Sequence, residues 1–180
     1  YLKDNGRKFD DTSLAKFKDA VKWDTSGWQK YKYDELLLST LRAQKPIVAG
    51  DAGRETVKSI AKSGLGAIDG EEQKRLKLDV PLGEKFDAEI LDGLYEAHCK
   101  SMPRETLSNM ALAQRYRDAV LADNALAASS KYGSAVLFAG NEHVRKDRGV
   151  SWYVHQRAPD HRKLHRFSHA ARHGGPLRTR

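Results

Sequence analysis

Ala135-Val136-Leu137-Phe138-Ala139 is an apolar run of strand length, and it stops at Gly140. His143 follows three residues later, and a polar loop, residues 145–148, closes on Gly149-Val150. A buried strand, a glycine and then a histidine is how α/β proteins set a useful side chain at the carboxyl end of a strand. The run therefore predicts an α/β sheet with His143 at its carboxyl edge. There a neutral imidazole can ligate a metal or act as a base. The plainer alternative is a loop histidine that only bonds backbone.

The rest of the chain fits such a frame. Apolar spacing predicts helices over 13–22 and 33–44, a short buried strand over 46–49, and a helix over 54–62 that Gly64 ends. Helix, strand, helix in that order points to a parallel sheet. Residues 65–83 break the rhythm with Gly66, Gly70, Pro81 and Gly83. Helices resume over 87–100 and over 106–128, and the strand 134–139 follows. A helical insertion over 66–112 thus interrupts the α/β frame.

Bulk properties narrow the function classes. The 180 residues suit one domain with a small insertion, and no apolar run approaches the ~18 residues of a spanning helix. Cys99 is the one cysteine, so no internal disulfide forms, and it reads as a small buried residue. Of the net charge of +8, residues 161–180 carry +6, which leaves the body nearly balanced. That distribution argues against a specific nucleic-acid partner. The same tail places His161, His165, His169 and His173 at every fourth position, a spacing that suits metal, yet with few apolar anchors it reads as disordered.

Other candidate groups are local. Arg115 and Asp118 are three apart on the long helix and can pair along its surface; alternatively Arg117 or Asp118 faces inward and binds an anion or orients a neighbour. His98 near a helix C-terminus is favoured by the dipole, and with Cys99 adjacent the two point in different directions. Trp23, Trp28, Tyr31 and Tyr33 either line a flat cofactor pocket or form core.

Five segments then fall in a familiar order and spacing: Lys22-Trp23-Asp24 with Gly27-Trp28; Pro46-Ile47-Val48-Ala49; Ala97-His98-Cys99 with Met102-Pro103; Met110 through Ala113-Gln114-Arg115 to Arg117-Asp118-Ala119; and residues 139–150. Over residues 10–158 the chain resembles the ChaN-like haem-binding uptake proteins of the Tiki/erythromycin-esterase-like superfamily. The resemblance implies a three-layer parallel-sheet, Rossmann-like α/β domain built from residues 1–65 and 113–158. A small all-helical subdomain, 66–112, is inserted, and the basic His/Arg tail, 159–180, is disordered or translated out of frame. The superfamily carries two Gly-x-x-His motifs. Gly140 to His143 matches the second, and no match to the first implies a chain that starts after the first strand.

Function is implied in the same way. The resemblance suggests a haem-binding protein of bacterial haem or iron uptake, an envelope lipoprotein with haem-uptake components as partners, and a possible homodimer. Tyrosine ligation is implied, with Tyr33, Tyr95 and Tyr116 as candidates, Arg117 for a haem propionate, and His98 and His143 completing the candidate set. The alternative is a hydrolase of the same superfamily using a divalent metal, in which His143 is ligand or base.

Overall fold

The computed structural model describes residues 11–25 and 33–159. Trp28, Tyr31 and the histidine-rich tail lie outside these residues. Two compact units are present, Tyr1–Ala49 and Gly50–Arg180.

In the first unit, α1 (Asp11–Ala20) and α2 (Asp34–Arg42) pack through Leu14, Leu37, Leu38 and Leu41, with Phe17 and Trp23 against them. Leu37, Leu38 and Leu41 recur at helical spacing, and burying each stabilises by roughly 1.5–3 kcal/mol. Trp23 thus contributes to core packing here.

The second unit is organised by one long helix. Elements α3 (Arg54–Ser63), α4 (Gly70–Arg75), α5 (Glu84–Ala97), α6 (Arg104–Tyr132) and α7 (Val150–Arg157) follow in order. Helix α6 runs 29 residues without Gly or Pro, about 44 Å, and ends at Gly133 in the left-handed conformation, φ 82°. Leu107, Ala113, Tyr116, Ala119, Leu121 and Ala122 are buried along it. Helices α3, α5 and α7 all pack on α6. Ile60 of α3, Leu76 and Leu78 after α4, and Val150, Tyr153 and Val154 of α7 complete the core.

Two of these elements go beyond the sequence reading. Helix α4 is only six residues, started by Asp69, whose Oδ1 accepts from the Glu71 and Glu72 amides at 2.8 and 3.4 Å. Acids in its first turn and bases in its last suit the helix dipole. Helix α7 begins where the reading stopped, and its Val150, Tyr153 and Val154 do show i, i+3, i+4 spacing.

The expected three-layer parallel sheet is not formed. Among the described residues there is no strand, and residues 45–50 and 134–140 carry no regular secondary structure. A strand in a parallel sheet needs ladder partners and cover on both faces. Two runs of four and six residues, 46–49 and 134–139, supply too few partners, since an isolated pair of strands is marginal in water. Helix-on-helix burial around α6 therefore makes the core. Within 134–140, Val136 and Phe138 are exposed at 71% and 56%, while Leu137 is half-buried against the core.

Candidate functional site

One face of α6 carries Gln114, Arg117, Asp118, Leu121 and Asn124, residues spaced at three and four as a single helix face requires. This face holds Gly50-Asp51 and the segment 137–143, which carries Gly140 and ends in His143. Asn124 Nδ2 donates to the Gly50 carbonyl at 2.9 Å. Leu121 and Leu137 both reach the space beside the Gly50 α-carbon.

Asp51 follows Gly50 and is gripped by Arg117 in a two-pronged pair: Nε donates to Oδ1 at 3.1 Å and Nη2 to Oδ2 at 2.6 Å. The Ala52 amide also donates to Asp51 Oδ1, at 2.8 Å. Partial burial pushes the Asp51 carboxyl up, but Arg117's hydrogen bond and charge outweigh it and hold the carboxyl below the usual aspartate range.

His143 is buried, and its Nδ1 lies 2.6 Å from Asp118 Oδ1. Burial pushes the Asp118 carboxyl above its ordinary range, against the opposing pull of His143 and then Arg117. The Gln114 amide nitrogen lies 3.1 Å from Nδ1 and 3.3 Å from Nε2. An atom almost equidistant from both ring nitrogens lies over the imidazole rather than on one lone-pair axis. The ring is thus oriented by a carboxylate and capped by an amide.

The loop that presents His143 is closed on itself. The His143 amide donates to the Gly140 carbonyl at 3.0 Å, and the Val150 amide donates to the His143 carbonyl at 2.9 Å. Gly149, φ 75°, makes the second bond possible: a Cβ there would stand 2.6 Å from the His143 carbonyl oxygen. Arg148 lies buried beneath, its Nη2 donating to Glu142 at 2.9 Å and its Nη1 to Glu89 of α5.

The surface pair expected between Arg115 and Asp118 is replaced by two inward contacts. Arg115 is buried, with Nε donating to the Tyr153 hydroxyl at 3.0 Å and Nη2 to the Val80 carbonyl at 2.7 Å. Asp118 faces His143 instead, since both residues of a pair on α6 are covered by neighbouring elements. Tyr153, buried beside Arg115, has its phenol pushed up to about 12 by burial.

The other expected residues lie elsewhere. Tyr116 is buried in the core, where burial raises its phenol. Tyr33 is half-buried, at the N-cap of α2. Tyr95 and His98 sit at the C-terminal end of α5, both half-buried. The Arg104 guanidinium lies 4.8 Å from the centre of the Tyr95 ring and bonds Asp92 at 2.5 Å. His98 Nδ1 lies 2.8 Å from the Leu94 carbonyl. Cys99, read as a buried residue, is exposed, because it falls beyond the last turn of α5 in the left-handed conformation, φ 52°.

Asp51, Gln114 and Arg148 were not singled out as site residues by sequence reasoning. Asp51 carried a usable signal: it follows an apolar run and a glycine, as His143 nearly does. Arg148 lies in the 139–150 segment, but its partners lie 59 and 6 residues away, so spacing alone did not give its role. Among the described residues no three His, Cys, Asp or Glu side chains are grouped to hold a metal ion. The divalent-metal set expected around His143 is therefore not assembled there.

Neither the comparison with curated proteins nor that with solved structures yields a match. A family model described as haem-binding uptake, Tiki superfamily, ChaN matches residues 3–154, most of the 180-residue chain. With those motifs in order along it, the chain belongs to the ChaN family of haem-binding uptake proteins.

Proposed function

We propose that this chain binds haem for bacterial haem or iron uptake and works in the cell envelope. The family match over residues 3–154 carries the reading. The donor set supports it. Haem needs an axial oxygen or nitrogen donor within reach of its iron, and cations for its propionates. At the end of α5, Tyr95 and His98 are partly open to solvent, beside Lys100 and Arg104, which pair with Glu96 and Asp92. By contrast His143 and Tyr116 are buried. Haem bound there would be cargo, and the protein's task would be to hold its iron and screen its edges.

Ferric haem titrated into the full chain should give a shifted, saturable Soret band. No shift would sink the reading. Phe in place of Tyr33, Tyr95 and Tyr116, singly and together, then tests tyrosine ligation: a Soret band unchanged in all of them excludes it.

A second reading, a hydrolase, is favoured by one observation: His143 is oriented by the Asp118 carboxylate, as a general base would be. Hydrolysis abolished by His143→Ala would support it; no hydrolysis of esters or amides with or without added divalent metal would dismiss it.

A further inference from the structure

We draw no further inference here: the strongest candidate, the apolar run 134–139 between α6 and the His143 loop, with Val136 and Phe138 exposed, is an unpartnered face, and nothing in the structure shows what covers it.

Discussion

The His143 carbonyl oxygen lies where a side chain on Gly149 would have to go, 2.6 Å from an ideal Cβ, and the Glu142 oxygen lies 2.9 Å from the same point. Both obstacles are backbone, and Gly149 has φ 75°. Gly149→Ala should therefore destabilise the chain by about 1–3 kcal/mol through left-handed strain and displacement of the 140–149 loop. Gly66→Ala, where a Cβ meets open space, is the control. Urea midpoints for the two variants check this; equal midpoints would show that the loop gives way without cost.

Two kinds of carboxylate shape the pH dependence. Asp51 and Asp123 are held below the ordinary value of 3.8: burial raises both, but the arginine bonds outweigh it. Asp147 is held low chiefly by its bond to Arg145. Each binds fewer protons folded than unfolded in that interval, so its contribution is complete above 3.8 and is lost as pH falls. Asp118 has the opposite sign. Burial raises it, so its contribution is present below 3.8 and is lost as pH rises through its folded value. Arg117→Met should thus flatten the acid limb, and Asp118→Asn should remove the decline on the other limb. Urea midpoints measured from about pH 3 to pH 6 test both; slopes that match wild type in either variant count against the assignment.

Arg148 spans two elements, since its Nη1 meets Glu89 of α5 and its Nη2 meets Glu142 in the His143 loop. The arginine is buried, but the carboxylates are 38% and 65% exposed, so water screens much of the attraction. Arg148→Met should cost about 1–2 kcal/mol, and Arg148→Lys should recover little of it, because an ammonium lacks the planar fork that reaches both carboxylates. Hydrogen exchange should show faster opening over 140–149 in both variants. Unchanged protection there would mean the loop is held without Arg148.

Tyr153 is fully buried and its hydroxyl accepts from Arg115 Nε. Tyr153→Phe removes that acceptor and leaves a buried guanidinium nitrogen without it, a loss of about 1–3 kcal/mol. Phe138→Ser, at a position more than half exposed, should change stability by less than about 0.5 kcal/mol. Thermal denaturation of the two variants compares them directly; a larger loss at Phe138 than at Tyr153 would show that the 134–140 segment is packed after all.

Helices α1, α2, α3, α5 and α6 were legible because apolar residues recur in them at helical spacing, whereas α7, with the same spacing in Val150, Tyr153 and Val154, was passed over. Gly64 and Gly133 end α3 and α6, while α4 escaped notice because capping and charge, not an apolar stripe, start it. His143 was legible as a position of interest, and Asp118 as one of two inward candidates. Their pairing was not, because it depends on which face of α6 meets the loop 25 residues further on.

By itself the sequence determined the family, five of the helices and the place of His143 just beyond an apolar run, all of which depend on order and local spacing. The tertiary structure decided the rest. An apolar run of strand length is only a strand when ladder partners and covering layers are supplied, and here 134–139 lies beside a helical core with Val136 and Phe138 exposed. Likewise Arg115, Arg117 and Asp118 are near neighbours in sequence, yet Tyr153, Asp51 and His143 claim them separately. Which partner each meets is set by the rotation of α6 against its neighbours, a property of packing that no local spacing contains.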